Sequence, residues 1–346
     1  MIHRPLGASG LQASIVGLGT WAIGGWMWGG TDEADAIDAI RASVDAGVTL
    51  VDTAPAYGFG RSEEIVGRAL RGIRDRVLLA TKCGLVWDRS DGEFFFAADE
   101  QGRNESGPFR VHRFLGPASI RAEVETSLRR LQTDRIDLLQ THWPDATTAI
   151  EETVACLMQL KKEGKIRAIG ACNLNAGQLD RYRRAGTLDA DQERFSMIDR
   201  GMEAERLPAC RRENIAVIAY SPLAHGLLTG RVTGERGYGE GDLRRENPRF
   251  RPDPVRRVRA LLDRLEPVAR RRRASLAQLA IAWAVNQPGV THALAGARTP
   301  AQARENAAAA SVALTPPDLA EIRAALEAFE RPARISSPGT AAGGVT

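Results

Sequence analysis

Three apolar runs of this chain each end on an ionisable residue. Val48-Thr49-Leu50-Val51 leads to Asp52, Val77-Leu78-Leu79-Ala80-Thr81 to Lys82, and Ile136-Asp137-Leu138-Leu139-Gln140-Thr141 to His142. Tyr57 stands a few positions beyond Asp52. Runs of this kind read as buried parallel strands, so their last residues gather at one rim of a sheet or barrel. A phenol, an ammonium, a carboxylate and an imidazole meeting there make a set for moving protons. Three of the four are costly to bury unless they pair, so their repeated placement at strand ends points to function.

A free phenol titrates near 10 and gives up its proton reluctantly at neutral pH, whereas a neighbouring ammonium stabilises the phenolate and lowers that value. Lys82 is placed to supply the charge. It is one of only four lysines, with Lys161, Lys162 and Lys165, among 47 basic residues, and a lysine offers a compact point charge where arginine offers a fork. Asp52 would keep Lys82 charged and oriented, and His142 would donate a hydrogen bond to a substrate oxygen. Without a nucleophile or a metal-ligand cluster, such a set suits protonation of an oxygen during carbonyl reduction, with hydride supplied from elsewhere. Taken singly, Asp52 and Lys82 read equally as a structural ion pair, Tyr57 as a loop aromatic and His142 as a satisfied core histidine. The five histidines show no His-x-His or His-Glu-x-x-His spacing, so no metal is expected.

Elements must position these groups. A Gly-rich start around Leu6-Gly7 and Ser9-Gly10-Leu11 reads as a hairpin, followed by a strand at 15–18. Helical patterns near 32–46, 62–71, 117–130, 150–163, 176–185 and 203–212 then alternate with apolar runs near 48–52, 77–81, 136–141, 166–171, 188–192 and 215–220. A helical stretch over 255–285, broken near Ser275, precedes a last run at 290–295. Eight strand candidates in βαβ alternation favour a closed (β/α)8 TIM barrel, in which functional groups sit at the C-terminal ends of strands. One domain over 1–330 is expected, with an extra C-terminal helix, and a flexible tail over 331–346 rich in Gly, Ala, Ser and Pro. The connection from Cys83 to Gly116 shows no helix or barrel strand, yet carries Trp87, Phe94, Phe95, Phe96, Phe109 and Phe114. A loop this long is functional or disordered, and the aromatic load argues for packing over the site as a substrate wall. A satellite cluster on the barrel flank is the alternative.

The 346 residues are 43% hydrophobic and 26% charged, ordinary for a globular chain that can bury a large core. The formal net charge of +4 comes mostly from arginine. The run Arg270–Arg273 reads as a helix C-terminus, where cations are favoured, rather than as a nucleic-acid patch, because no aromatics interleave with it. Four scattered cysteines (Cys83, Cys156, Cys172, Cys210) form no Cys-x-x-Cys pair and suggest reduced thiols and a cytoplasmic location. No long apolar stretch or leader pattern occurs, so neither export nor membrane spanning is expected.

The segment Asp52-Thr53-Ala54-Pro55-Ala56-Tyr57-Gly58, the Lys82 strand, and Leu138-Leu139-Gln140-Thr141-His142-Trp143-Pro144 resemble the aldo-keto reductases, whose catalytic residues are Asp, Tyr, Lys and His in this order. The resemblance covers nearly the whole chain. It includes Gly19-Thr20-Trp21, Lys165-Ile166-Arg167-Ala168-Ile169-Gly170, Asn173, and Tyr220-Ser221-Pro222-Leu223-Ala224-His225-Gly226-Leu227-Leu228-Thr229-Gly230. Its wording looks most like the bacterial branch that includes inositol-locus and general-stress reductases.

That resemblance implies an extended nicotinamide cofactor bound without a Rossmann domain. Asn173 and Gln192 would hold the carboxamide and Tyr220 would stack on the ring, with Gly19, Thr20, Trp21, Asp52 and Cys172 around it. Ser221, Pro222, Leu223, Gly226 and Leu228 would follow the pyrophosphate. Gly296, Arg298, Gln302 and Asn306 resemble the adenosine site, with Arg298 placed for a 2′-phosphate, so NADPH is expected over NADH. Two departures stand out: Cys172 where the family usually has serine, and Asp191 where it usually has asparagine. The implied activity is reversible hydride transfer to an aldehyde or ketone with Tyr57 as acid and base, in a pocket of Trp21, Tyr57, Trp87, His142 and Trp143. A sugar, polyol-derived or bulky cyclic carbonyl is the expected substrate, and a monomer or weak homo-oligomer the expected state. A nucleotide-sensing regulatory subunit with little turnover is the alternative.

Overall fold

The computed structural model describes residues 1–331; the tail expected beyond Arg331 lies outside the described residues. A hairpin of β1 (His3–Pro5) and β2 (Gln12–Ser14) comes first. The next strands are β3 (Val16–Gly19), β4 (Leu50–Asp52) and β5 (Leu78–Cys83), followed by β6 (Leu85–Val86), β7 (Glu93–Ala98) and β8 (Phe109–Arg113). The chain then runs through β9 (Ile136–Thr141), β10 (Ile166–Cys172), β11 (Ala190–Arg194), β12 (Ala216–Tyr220) and β13 (His292–Gly296). Eight of these close into a parallel barrel in the order β10-β11-β12-β13-β3-β4-β5-β9, the eight runs the alternation predicts.

Alternation along each strand divides its residues between two cores. Leu50, Leu78, Ala80, Leu138, Ala168, Ala190, Ala216, Ile218 and Leu294 fill the barrel, and Leu6 and Ala13 of the hairpin pack beneath them. The intervening residues face the helices: Val51 and Leu79 pack with Ile40, Ile65 and Val66 of the helices Glu33–Asp45 and Arg61–Ala69. With a period of two, the inward positions after Leu50, Ala80, Leu138 and Ala190 are Asp52, Lys82, Gln140 and Gln192. The barrel interior therefore changes from apolar to polar at its C-terminal rim. Gly170 makes room there, because a Cβ on it would lie 2.8 Å from the Gln140 side chain.

Helix ends fall where local chemistry sets them. Ser275 caps the helix Leu276–Val285 with a capping box, which separates it from the preceding helix Pro252–Arg271 at the expected break. The basic run at the end of that helix is not simply solvated: Arg271 and Arg272 both reach Asp318 at the start of the C-terminal helix Pro316–Glu330. The helix expected over 203–212 begins later, at Arg206. The 83–116 connection is not a loop but an antiparallel sheet in the order β6-β8-β7. Its aromatic residues lack a clean alternation because a register shift falls between Phe94 and Phe96. Among the described residues no helix is long and apolar enough to cross a membrane.

Candidate functional site

Lys82 and Asp52 meet inside the rim with almost no exposure, 1% and 2%. The Lys82 ammonium donates to Asp52 Oδ1 at 2.6 Å, to the Thr53 carbonyl at 2.9 Å and to the Tyr57 hydroxyl at 3.1 Å. All three ammonium protons are thus used. The other carboxylate oxygen of Asp52 accepts from the amides of Gln140 at 3.0 Å and Gln192 at 2.9 Å. Gln192 also donates to Gln140 Oε1 at 3.1 Å, which closes the layer. Such a pair tolerates burial only because every remaining lone pair and proton has a partner.

Tyr57 arrives from the turn after β4, and His142 sits directly beyond the end of β9, its N–H bonded to the Cys83 carbonyl at 2.9 Å. Their rings meet edge to face at 5.7 Å between centroids. Burial lowers the His142 imidazole well below its ordinary range, and the Lys82 charge lowers it further, so it is neutral at pH 7. The Tyr57 phenol is pushed up to about 12: burial raises it and outweighs the lowering by Lys82. The expectation of a net lowered phenol is therefore corrected, because burial outweighs the Lys82 charge and the Asp52 carboxylate raises the phenol further. Burial alone would lower Lys82, but Asp52 and then Tyr57 reverse this and leave it raised. The set at neutral pH is a neutral phenol, an ammonium, a carboxylate and a neutral imidazole.

These groups lie at one wall of a cavity of about 470 Å3. Gly19, Thr20, Trp21, Asp52, Tyr57, His142, Trp143, Asn173, Gln192, Tyr220, Ser221, Pro222, Leu223, Gly226, Gly296, Arg298, Gln302 and Asn306 all line it, as do Phe95 and Phe96 of the small sheet. Four expected residues do not, among them Lys82, which meets the wall only through Asp52 and the Tyr57 hydroxyl. Trp87 packs edge-on against Phe59 at 5.2 Å, in one apolar cluster with Phe95, Phe96 and Trp143. Cys172 is buried behind Gln140, its sulfur 3.9 Å from Oε1, and Leu228 is part of the outer apolar core. Asp191 points away from the barrel interior, into an ion pair with Arg206 at 3.0 Å.

The cavity has two characters. Near Tyr57 the lining is aromatic: Trp21, Trp26, Phe95, Phe96 and Trp143, with Trp21 stacked on Tyr57 at 6.2 Å. Away from it the lining is cationic, with Arg194, Arg231, Arg236, Arg244 and Arg298. Between them the chain after β12 takes positive φ at Ser221, Ala224, His225 and Gly226, a turn of the kind whose backbone N–H groups form an anion cradle. Asn173, also at positive φ, donates to the His142 carbonyl at 3.0 Å and accepts from the Tyr220 hydroxyl at 2.9 Å. Arg298 donates to the carbonyls of Trp28 at 3.1 Å and Gly30 at 2.6 Å, tying the 26–30 segment across the trough. This shape and charge fit a long anionic molecule with one flat, uncharged end.

Sequence reasoning missed several residues here. Gln140 stands at the same alternation step as Lys82, and strand period alone would have marked it. Trp26 and Trp28 lie in the Gly24-Gly25-Trp26-Met27-Trp28-Gly29-Gly30 run, whose aromatic content is a signal, but the Arg194, Arg236 and Arg244 placements come only from the fold. His225 also lines the cavity, edge-on to Trp21 at 5.8 Å and Trp28 at 6.0 Å, and burial pushes it down to about 4. Among the described residues no cluster of His, Cys, Asp and Glu could hold a metal ion.

Comparison with known proteins adds relatives. The profile of the Aldo/keto reductase family matches residues 15–327. A protein of Escherichia coli (strain K12) named NADH-specific methylglyoxal reductase is 43% identical over 333 residues, covering 94% of this chain and 99% of its own length. Among solved structures, the glycerol dehydrogenase AKR11B4 from Gluconobacter oxydans superposes with a TM-score of 0.83 at 37% identity, covering 97% of this chain and 98% of that one. An aldo/keto reductase from Klebsiella pneumoniae in complex with NADP and acetate has a TM-score of 0.69 at 29% identity, covering 96% and 98%.

The buried pair generates a stability prediction. Asp52→Ala leaves an ammonium uncompensated and should cost about 3–5 kcal/mol, whereas Asp52→Ala combined with Lys82→Met should cost clearly less than the sum of the single changes. Denaturant unfolding of the four proteins checks this.

Proposed function

Because the chain belongs to the aldo/keto reductase family, we propose that it is an NADPH-dependent reductase that reversibly interconverts a carbonyl and an alcohol, with Tyr57 as general acid and base. The observation that carries this reading is the Tyr57 hydroxyl held 3.1 Å from the Lys82 ammonium at the cavity wall, beside a neutral imidazole. When bound, the nicotinamide supplies or accepts the hydride.

The remaining work falls to side chains. A carbonyl oxygen between Tyr57 and His142 receives two hydrogen bonds, one from each ring, and the Tyr57 proton passes to that oxygen as negative charge develops on it. The Lys82 charge stabilises the phenolate left behind, and Asp52 keeps that charge fixed. In the oxidative direction the same phenolate would take the alcohol proton. His142, neutral, acts as a hydrogen-bond donor rather than as the acid. Trp21, Trp143, Phe95 and Phe96 exclude water and favour a bulky or ring-containing carbonyl over a small polar one, while sugars and polyol-derived ketones remain within the size of the cavity.

For the cofactor, Asn173, Gln192 and Tyr220 suit a flat amide-bearing ring, the 221–226 turn suits a pyrophosphate, and Arg298 beside Gln302 and Asn306 suits a 2′-phosphate. The excess of arginine at that end supports the phosphorylated cofactor, as does the NADP in the Klebsiella relative. A preference for NADH is the second reading. It is favoured by the name of the Escherichia coli relative and by the Arg298 guanidinium, which is already engaged by two backbone carbonyls.

Tyr57→Phe should lower turnover of 4-nitrobenzaldehyde by about 10²–10⁴-fold, followed at 340 nm, while the dissociation constant for the cofactor stays within a factor of two. A fully active Tyr57→Phe protein sinks the assignment, and tight cofactor binding without turnover in the unsubstituted protein favours the regulatory alternative. Arg298→Ala should weaken NADPH about tenfold or more with little change for NADH. Equal loss for both cofactors, or none, would support the NADH reading.

A further inference from the structure

Arg103 is a cation at the aromatic end of the cavity, away from the arginines of the trough. It lines the cavity with Trp26, Phe95, Phe96 and Trp143. Its guanidinium lies 4.2 Å from the Phe96 ring centroid and 5.4 Å from that of Phe95. The tight turn between β7 and β8 fixes it there, since Ala98 pairs with Arg103 and Asp99 N–H donates to the Gly102 carbonyl at 2.9 Å. The turn is itself tied down: the Trp26 indole donates to the Asp99 carbonyl at 3.0 Å and Met27 N–H to the Gln101 carbonyl at 3.3 Å.

No carboxylate among the described residues pairs with this guanidinium. Asp99, an acid of the same turn, accepts instead from the N–H groups of Gln101 and Gly102 and from the Asn104 amide. Arg113, which also lies over Phe95, is paired with Glu93. The two acids that line the cavity are committed elsewhere, Asp52 to Lys82 and Glu305 to Arg231. An arginine held over aromatic rings without an acidic partner keeps N–H groups free, and these match a carboxylate or another oxyanion. A run of contacts links it to the proposed reacting end: Phe96 touches Phe95 at 5.1 Å, Phe95 touches Trp143 at 5.3 Å, and Trp143 follows His142 in the chain.

We propose that Arg103 is a specificity residue for substrates that carry an anionic oxygen group, such as a carboxylate, on an apolar or aromatic body at the end remote from the carbonyl. The inference rests on the reductase reading of the site and deepens it to a substrate class, aldehydo or keto acids and the matching hydroxy acids. The aromatic wall takes the body of the molecule, and Arg103 sets which end faces Tyr57 and His142.

The test uses aldehydes of one shape and different charge, 4-carboxybenzaldehyde and 4-nitrobenzaldehyde. The ratio of their kcat/KM values should fall about tenfold on Arg103→Gln, chiefly through KM of the carboxylate, and should be largely restored by Arg103→Lys. A ratio unchanged by Arg103→Gln overturns the proposal. A binding arm needs no turnover: quenching of tryptophan fluorescence by 4-(hydroxymethyl)benzoate is compared with 4-(hydroxymethyl)benzamide. The unsubstituted protein should bind the benzoate at least fivefold more tightly, and Arg103→Gln should abolish the difference. Equal affinities in the unsubstituted protein overturn the proposal. Absence of turnover with either aldehyde while the benzoate preference persists would instead count against the reductase reading alone.

Discussion

The ion pair between Lys82 and Asp52 is the constraint on which the rest of the site depends. Bringing two charges into a barrel interior is unfavourable unless their remaining hydrogen-bonding capacity is filled, and the fold fills it from two further strands and one turn. Thr53 and Tyr57 complete the ammonium; Gln140 and Gln192 complete the carboxylate. Those requirements fix the side-chain positions at the rim. They also fix the Tyr57 hydroxyl, the neutral partner of Lys82 at the cavity wall.

The pair has an electrostatic consequence as well. Burial raises the Tyr57 phenol by more than the Lys82 charge lowers it, and the Asp52 carboxylate adds to the rise, so Tyr57 rests above its ordinary range rather than below it. The same cation, together with burial, keeps His142 neutral. Both rings therefore hold donor protons at neutral pH, which suits the proposed reduction. The charge that assists departure of the Tyr57 proton becomes useful only as negative charge forms on Tyr57 itself, the sense in which a preorganised site favours a transition state over a ground state. Around this centre the cavity separates by composition, aromatic where a substrate body would sit and arginine-rich where phosphates would lie.

Much of this architecture is legible in the chain because parallel barrels write it twice, as apolar runs with a period of two and as helices between them. The eight strands, the hairpin and the rim positions of Asp52, Lys82 and His142 follow from that pattern. What escaped has identifiable causes. The 83–116 segment forms a sheet whose shift at Phe94–Phe96 hides the alternation. Trp87 looked like a pocket residue because aromatic content does not tell which face a side chain takes, and it packs on Phe59 instead. Cys172 and Leu228 lie in the right segments yet pack away from the cavity, Cys172 behind Gln140 and Leu228 in the outer apolar core. The arginines at 194, 236 and 244 converge only when loops distant in sequence come together, which no local spacing encodes.

The central claim is that a neutral, buried Tyr57 delivers the proton while His142 stays uncharged. The pH dependence of kcat/KM for carbonyl reduction tests it most directly. Tyr57 is raised to about 12, so its proton is present throughout the neutral range and is lost only as pH rises through that region; His142 is depressed, so it remains neutral down to acid pH. A level profile is expected from about pH 6 to 9, with any decline confined to strongly alkaline solution. A descending limb centred near pH 7, of the kind an imidazolium acid produces, would contradict it.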